Sequence, residues 1–261
     1  MAYEYEEFKS DILKLTKVDL NAYKEQQMKR RLLSLIDKHN FNGFEEYYKK
    51  LKVDKDLYEE FLNYFTINVS EFYRNPDQWE MMDKTVIPEL IQRFGKNLKI
   101  WSAACSTGDE PYSLVMALSR HIPLNQIKIY ATDIDKQVIE KAKAGLYAEK
   151  SIASVPADLK KKYFTEIGKN TYQISDEIKS RVTFRAHNLI LNDYQKDFNY
   201  IVCRNVLIYF TEEAKEDVFR KFYASLAPGG VLFIGSTEQI TNYKEMGYIR
   251  KSSFYYEKPG K

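Results

Sequence analysis

The sequence has little of what several classes of protein require. It contains two cysteines, Cys105 and Cys203, and three histidines scattered along 261 residues. So few thiols exclude a disulfide framework and fit a reducing compartment, and the scattered thiols and imidazoles predict no metal site. No apolar run is long enough to cross a bilayer, and the charged N-terminus MAYEYEEFKSD is not typical of a signal peptide. We therefore expect a cytoplasmic protein without direct membrane insertion.

An excess of charge of one sign is also missing, since the net charge is only +3. Hydrophobic residues make up 44% and charged residues 30% of the chain, as in ordinary globular proteins. There is no zinc-finger spacing and no RNP-like aromatic run, so no nucleic-acid partner is expected. The length provides ample material for a core, in one large domain or two smaller ones.

Residues 3–65 have apolar side chains at helical spacing throughout. The helical faces are formed by Phe8, Ile12 and Leu15, by Met28, Leu32 and Leu35, and by Leu57, Phe61 and Phe65. Asp19 or Asn21 is a candidate cap for the second helix, and residues 40–43 are expected to separate it from the third. The pattern predicts a small helical bundle.

Beside its apolar stripe, the second helix carries the basic residues Lys24, Lys29, Arg30 and Arg31. Residues 24–55 contain nine Lys or Arg against five Asp or Glu, so positive charge is concentrated there. A solvated helix face is one interpretation. The other is a surface that docks an acidic partner, which we expect to be another helix.

The stretch FTINVSEFYRNPD, residues 65–77, mixes aromatic side chains with Asn68, Ser70 and Arg74. One interpretation is a buried seam between domains, and the other is a lid whose polar groups close over a ligand. A purely buried seam would make Arg74 a costly charge to desolvate.

The stretch LKIWSAACSTGDEPYS, residues 98–113, predicts a strand, a turn of small residues and a helix start. Such a half-site suits a nucleotide-like ligand, because small side chains let it approach the backbone and the helix start offers N–H groups. The turn has only Gly108, and not the three glycines of a dinucleotide fingerprint. Asp109 and Glu110 would repel a pyrophosphate but suit a ligand that is cationic or rich in hydroxyls, such as S-adenosylmethionine. A tight βα turn without a ligand is the alternative.

After a helix over residues 79–94, strands and helices alternate. Strands are predicted over residues 98–102, 127–132, 182–186, 200–203 and 231–236, with a closing pair near 248–250 and 254–257. This order predicts a largely parallel sheet with helices on both faces and an antiparallel hairpin at one edge. Residues of about 147–181 interrupt the alternation and predict a small inserted antiparallel subdomain, a common place for partner binding.

Polar residues follow several of these strands. Asp133 ends the second strand and is placed to accept the ribose hydroxyls of an adenosine; capping of the next helix is the alternative, and Asp135 could take that role instead. The other candidates are Asn188 and Leu189 after the third strand, Cys203 at the end of the fourth, Arg204 and Asn205 directly after it, and Tyr209 beyond them. Because a ligand of such a sheet lies beyond the carboxyl ends of the strands, we expect these side chains to converge.

Five motifs together resemble the CheR family of chemotaxis receptor methyltransferases. TINVSEFYR, SAACSTGDEPYS, ATDID, HNL and CRNVLIYF occur in the family's order behind a helical N-terminal region and span nearly the whole chain. The resemblance implies a class I S-adenosylmethionine-dependent methyltransferase fold, which is α/β and Rossmann-like, over residues 76–261. It also implies an all-helical receptor-docking domain with an interdomain segment over residues 1–75. The implied reaction is methyl transfer to glutamate side chains of chemoreceptors, with S-adenosylhomocysteine as product.

The same resemblance assigns roles to residues by position. It implies cofactor binding by Asn68, Ser70, Arg74, Ala104, Glu110, Asp133, Asn188, Leu189, Cys203, Arg204 and Asn205, and it places Arg74 and Tyr209 nearest the transferring methyl as catalytic residues. Since residues 68–74 would close the cleft, the site is expected to span both domains. The basic face of the second helix would dock on the helical bundle of a receptor.

One departure from the family pattern is visible in the insertion. Peptide-docking members carry a glycine-rich turn there, whereas this chain has only Gly168, which counts against docking of a receptor C-terminal pentapeptide. We expect a monomer. Two other functions remain open: a nicotinamide oxidoreductase, which the missing glycine fingerprint argues against, and a non-catalytic adaptor, which the intact polar positions argue against.

Overall fold

The computed structural model describes residues 3–66 and 70–260. The chain divides into two compact units. The first comprises Met1–Ile67 with Leu207–Val218, and the second comprises Asn68–Val206 with Phe219–Lys261. The segment that carries Arg74 is therefore grouped with the second unit.

The first unit is helical, as the apolar spacing predicts. Its helices are α1 (Tyr5–Thr16), α2 (Glu25–Lys38), α3 (Phe44–Leu51) and α4 (Lys55–Phe65). The apolar faces meet in a core that includes Phe8, Leu32, Tyr47 and Phe61, each at most 1% exposed. Burial of such faces supplies most of the stability of short helices, so the bundle depends on this core.

The predicted cap of α2 is wrong. The Asp19 carboxylate accepts a hydrogen bond from the amide of Asn21 and so caps a separate 3₁₀ turn, Leu20–Ala22. Because this turn comes first, α2 begins only at Glu25, and its N-cap is Lys24. The predicted break after α2 is confirmed, because Asn40 and Gly43 both adopt positive φ, at 58° and 125°, and α3 starts at Phe44.

The second unit alternates helices and strands. Its helices are α5 (Pro76–Met81), which continues through a π-helical turn (Met82–Val86) into α6 (Ile87–Phe94), then α7 (Asp109–Leu118), α8 (Lys136–Ala144), α9 (Ala157–Tyr163), α10 (Asp176–Lys179) and α11 (Glu212–Ser225), the last shared with the first unit. Its strands are β1 (Ile100–Ala103), β2 (Ile129–Asp133), β3 (Leu146–Ala148), β4 (Phe164–Gly168), β5 (Thr171–Ile174), β6 (Val182–Ala186), β7 (Phe198–Cys203), β8 (Leu226–Ile234), β9 (Ile249–Arg250) and β10 (Tyr255–Glu257).

Seven strands form the main sheet in the order β6-β2-β1-β7-β8-β10-β9. The five strands β6, β2, β1, β7 and β8 are parallel, and β10 pairs antiparallel with β8 and β9. The predicted parallel sheet with an antiparallel edge hairpin is confirmed. The order reverses between β1 and β7, and ligands of open α/β sheets bind outside the carboxyl ends of the strands at such a switch point.

The sheet is held together by a buried aromatic and aliphatic core. Trp101 of β1 is fully buried, and its indole N–H is satisfied by the Thr132 hydroxyl at 2.9 Å. Cys105 and Cys203 are also buried, and both are free thiols. Of the helices in the described part of the chain, none has the length and apolar character that a membrane crossing demands.

The insertion is a three-stranded antiparallel sheet in the order β3-β5-β4, as predicted. It is joined to the segment before α5. The ring of Phe72 packs edge-on against Tyr147 of β3 and Phe164 of β4, with ring centroids 4.7 and 5.2 Å apart. The Phe72 amide also donates to the carbonyl of Ser151 at 3.0 Å. Residues 72–75 are therefore anchored to the second unit.

Candidate functional site

The turn after β1 brings its backbone close to the edge of the sheet. Ala104, Ser106 and Gly108 all have positive φ, at 59°, 47° and 88°. A Cβ added at Gly108 would lie 2.8 Å from the Cβ of Ala142, so this position needs glycine for space as well as for conformation. Non-glycine residues in this backbone region are uncommon and cluster at functional sites, which marks the turn as a candidate.

Asp133 fixes this turn to the end of β2. Its carboxylate accepts hydrogen bonds from the amides of Ser106 at 2.8 Å and Asp135 at 3.0 Å. The alternative role as a helix cap is excluded, because the Asp135 side chain caps α8 by accepting from the amides of Gln137 and Val138. Burial raises the pKa of Asp133 to about 6, although the amide hydrogen bonds oppose that rise.

Glu110 lies in the first turn of α7, beside a buried guanidinium. Its carboxylate accepts a hydrogen bond from the Ser102 hydroxyl at 2.8 Å and lies 3.6 Å from Nη1 of Arg204. Burial raises the pKa of Glu110, and the Arg204 charge and the Ser102 hydroxyl lower it in part. The pair therefore places both signs of charge at the switch point of the sheet.

Arg204 follows β7 and reaches the segment before α5. Its Nη2 lies 2.8 Å from the main-chain carbonyl of Arg74, 3.0 Å from Oδ1 of Asn75 and 2.8 Å from Oε1 of Gln78. The Arg204 side chain is only 2% exposed, so these acceptors and Glu110 replace the water it has lost. The structure thus brings together Arg74, Glu110 and Arg204, which are all predicted site residues.

Glu238 is a residue of the site that the sequence pattern does not reveal. Its buried carboxylate accepts hydrogen bonds from the amides of Asn205 at 2.9 Å, Val206 at 3.0 Å and Gly235 at 2.8 Å. It thereby holds Asn205 at a positive φ of 59°. The one sequence signal for Glu238 is its position shortly after β8, at the same edge of the sheet as the other polar residues. The sequence pattern does not reveal Gln78 either, because it lies on a helix and not after a strand.

The remaining predicted residues have varied environments. The hydroxyl of Ser70 hydrogen-bonds the buried carboxylate of Asp109. Oδ1 of Asn188 accepts from the amide of Ile190 at 2.9 Å and so shapes the turn after β6, while Leu189 is 7% exposed. Cys203 is fully buried, and burial raises the pKa of its thiol well above the usual range, which keeps it neutral.

Two predicted residues cannot be placed in this constellation. Asn68 lies outside the described residues. Tyr209 belongs to the first unit, in a 3₁₀ turn over Leu207–Tyr209, where its carbonyl accepts a hydrogen bond from the amide of Lys24 at 3.0 Å. Its approach to Arg74 therefore stays a prediction.

The chemistry of the polar groups fits S-adenosylmethionine. The carboxylates of Asp133, the last residue of β2, and Glu110, in the first turn of α7, suit vicinal hydroxyls and an ammonium group. A pyrophosphate would instead be repelled by Asp109 and Glu110. Two buried polar atoms of the site, Oγ of Ser106 and Nε of Arg204, have no hydrogen-bond partner within the described ranges, so donor capacity is left for a ligand. Fold and site together define a methyltransferase that uses S-adenosylmethionine.

Comparison with known proteins narrows this class to one family. Residues 68–255 match the profile described as "CheR methyltransferase, SAM binding domain", and residues 3–66 match "CheR methyltransferase, all-alpha domain". A chemotaxis protein methyltransferase of Listeria innocua is 44% identical over 92% of each chain. Chemotaxis protein methyltransferase 2 of Vibrio cholerae is 34% identical over 87% of this chain and 83% of its own.

The chain belongs to the CheR methyltransferase family. Its predicted fold class, cofactor and enzyme class are confirmed. Among solved structures, a TehB-like SAM-dependent methyltransferase of Corynebacterium glutamicum is 14% identical, with a TM-score of 0.39 over 70% of this chain and 93% of that chain. That similarity is too low to add to the assignment.

Proposed function

We propose that this enzyme transfers the methyl group of S-adenosylmethionine to glutamate side-chain carboxylates of chemoreceptors in chemotactic adaptation. The products are glutamate methyl esters and S-adenosylhomocysteine, and the enzyme acts as a cytoplasmic monomer. The observation that carries the proposal is the buried contact of Glu110 with Arg204, whose guanidinium also holds the main chain of Arg74. It occurs in a chain whose relatives are named chemotaxis protein methyltransferases.

The reaction needs positioning more than proton transfer. A glutamate side chain has a pKa of about 4.3 and is already ionised near neutral pH, so no general base is required. When bound, S-adenosylmethionine supplies an electrophilic methyl group. Glu110 binds its ammonium group and Asp133 its ribose hydroxyls. The side chain of Arg74, assisted by Tyr209, orients the incoming carboxylate, so that catalysis rests on geometry and charge.

The test of Arg74 compares two substitutions. Arg74→Ala should lower kcat for methyl transfer to receptor-containing membranes by roughly a hundredfold or more, because a charged orienting contact is lost. Arg74→Lys keeps the charge but not the planar fork, and should retain part of the activity. Titration calorimetry with S-adenosylmethionine shows whether the variants still bind it. Turnover within about threefold of the parent enzyme would contradict the role of Arg74.

The same experiment separates the proposed enzyme from an adaptor. An adaptor that has lost catalysis would bind receptors and would show no incorporation of labelled methyl groups with any receptor. Base-labile methyl esters on receptor glutamates, detected by mass spectrometry, are the expected result.

The basic face of α2 is the proposed docking surface for the acidic helical bundle of a receptor. Lys24 and Arg30 are exposed. Lys29 lies over the ring of Tyr5, 5.0 Å from its centroid, and Arg31 donates to the carbonyl of Tyr64. Since Lys29 and Arg31 have partners within the first unit, Lys24 and Arg30 are the residues we expect to contribute most to docking.

Charge reversal tests this surface. Lys24→Glu with Arg30→Glu should raise the KM for receptor and weaken its salt dependence, with the affinity for S-adenosylmethionine unchanged. Lys96→Glu with Lys128→Glu is the matched control, because both lysines are exposed in the second unit and the change in net charge is the same. Equal effects of the two pairs would show a general charge effect and contradict docking by α2. Docking of a C-terminal pentapeptide is not part of this proposal, and a receptor lacking that tail should remain a substrate.

A further inference from the structure

The backbone on both sides of Arg74 has an unusual conformation. Tyr73 and Asn75 have φ values of 52° and 60°. Asparagine tolerates this left-handed region, but a bulky aromatic residue rarely adopts it. Such a backbone persists only where surrounding contacts determine it, so the segment must be held from outside.

The contacts that hold it include two hydrogen bonds to the main-chain carbonyl of Arg74. The carbonyl of Arg74 accepts hydrogen bonds from Nη2 of Arg204 at 2.8 Å and from the indole N–H of Trp79 at 2.9 Å. Both acceptor positions of that oxygen are therefore used. The amide of Tyr73 donates to the hydroxyl of Ser113 at 3.1 Å, which fixes the other end of the strained stretch.

Gln78 completes this arrangement. It is 7% exposed, and its Oε1 lies 2.8 Å from Nη2 of Arg204. Its own backbone is fixed, because its amide donates to the carbonyl of Asn75 at 3.0 Å and its carbonyl accepts from the Tyr255 hydroxyl at 3.2 Å. Gln78 thus links Arg204 to the buried strand β10.

A neutral acceptor at position 78 has a physical advantage. A carboxylate there would compete with Glu110, whose carboxylate lies 3.6 Å from the same guanidinium. An amide oxygen accepts a hydrogen bond from Nη2 of Arg204 without neutralising the guanidinium, so the positive charge stays available to Glu110. The guanidinium can then donate to the main-chain carbonyl of Arg74 and at the same time pair with the carboxylate of Glu110.

We propose that Gln78 and Arg204 are positioning residues, which hold the main chain of Arg74 in the left-handed stretch and so place its side chain for methyl transfer. The proposal rests on the catalytic role proposed for Arg74. Gln78 acts through Arg204, and Arg204 acts through the Arg74 carbonyl, so neither needs to touch the substrate for this role.

The test compares Gln78→Leu, which removes the acceptor at similar volume, with Gln78→Glu, which keeps an acceptor. Gln78→Leu should speed amide hydrogen exchange of residues 72–79 in the cofactor-free protein by about tenfold, because loss of a charged hydrogen bond favours local opening. It should lower kcat by about tenfold while the Kd for S-adenosylmethionine changes by less than about threefold. Gln78→Glu keeps an acceptor and should restore slow exchange. It should also raise the Kd for S-adenosylmethionine by more than about threefold, because its carboxylate competes with Glu110 for the Arg204 guanidinium.

Tyr248→Phe is the control, since it removes another buried hydrogen bond of the second unit, from the Tyr248 hydroxyl to the carbonyl of Phe219 at 2.8 Å. It should change neither the exchange of residues 72–79 nor kcat. Parent-like exchange and kcat in Gln78→Leu would overturn the proposal, as would a Gln78→Glu variant in which residues 72–79 exchange as fast as they do in Gln78→Leu. If Arg74→Ala instead keeps full turnover, the catalytic role of Arg74 is wrong, and the exchange rates alone decide whether Gln78 holds the segment.

Discussion

The carboxylate of Asp133 accepts a hydrogen bond from the amide of Ser106 at 2.8 Å, which ties the end of β2 to the turn after β1. The two strands are neighbours in register, with Ala103 opposite Thr132. One side chain therefore shapes the turn and also presents a buried negative charge at the edge of the sheet. Its protonation should affect binding more than folding of the distant core.

We predict that the affinity for S-adenosylmethionine falls as the pH drops through about 6. Burial raises the pKa of Asp133 to about 6, and only the ionised form accepts hydrogen bonds from both ribose hydroxyls. Below that pH, binding should weaken by up to about tenfold per pH unit. Titration calorimetry between about pH 5 and 8 measures this. In Asp133→Asn the dependence should be weaker, with the remainder due to Glu110; a Kd independent of pH in the parent enzyme would contradict the prediction.

The Asp133 carboxylate should also make the free energy of unfolding depend on pH. Because its folded pKa is raised above the usual carboxyl value, the folded state binds the proton more tightly than the unfolded chain does. Its contribution to folding is thus most favourable below the unfolded pKa and is lost as pH rises through about 6. Asp133→Asn should therefore flatten the dependence of the unfolding free energy on pH between about 4 and 6, as urea titrations can show.

Glu110→Gln should weaken binding of S-adenosylmethionine by roughly tenfold to a hundredfold, since a hydrogen bond to a charged group contributes about 1.5–3 kcal/mol. The amide keeps the shape and still accepts from Ser102, but it no longer neutralises Arg204. Ser102→Ala is the milder comparison and should cost about 0.5–1.5 kcal/mol of stability or binding. Calorimetry on both variants measures the difference. Binding by Glu110→Gln within about threefold of the parent would show that Glu110 is not the anchor.

Gly108→Ala should destabilise the second unit by about 1–3 kcal/mol and lower the affinity for S-adenosylmethionine, because the new Cβ meets Ala142 and φ is positive. Gly168→Ala is the matched control. A Cβ at Gly168 meets no atom within 4 Å, so its effect should lie within about 0.5 kcal/mol. Urea unfolding of both variants gives the comparison. Equal stability of the two would mean that the turn after β1 adapts to the side chain.

Sequence patterns predict the sheet well because its strands are short, buried and bounded by polar residues. The carboxyl ends of β1, β2 and β7 could be recognised in this way, and Asp133, Glu110 and Arg204 with them. The sequence alone leaves the capping role of Asp135 open, and the hydrogen bonds that its side chain accepts from the amides of Gln137 and Val138 decide it.

The parts that could not be predicted depend on contacts between distant residues. Glu238 binds three amides of two loops, and nothing in its local sequence distinguishes it from a surface glutamate. Gln78 acquires its role from Arg204, which lies 126 positions away along the chain. The wrong cap at Asp19 has a local cause, since a side chain that could cap α2 is used by the preceding 3₁₀ turn. The contacts of Glu238 and of Gln78 with distant residues are set by the tertiary fold.

The buried thiols of Cys105 and Cys203 make it possible to measure opening of the folded protein by thiol labelling. Burial raises the pKa of both thiols well above the usual range, so neither forms a reactive thiolate near neutral pH in the folded state. Alkylating reagents should then label only molecules that have opened. Since Cys105 lies in the turn after β1 and Cys203 ends β7, the rate of labelling at each position reports separately on the ends of two paired strands.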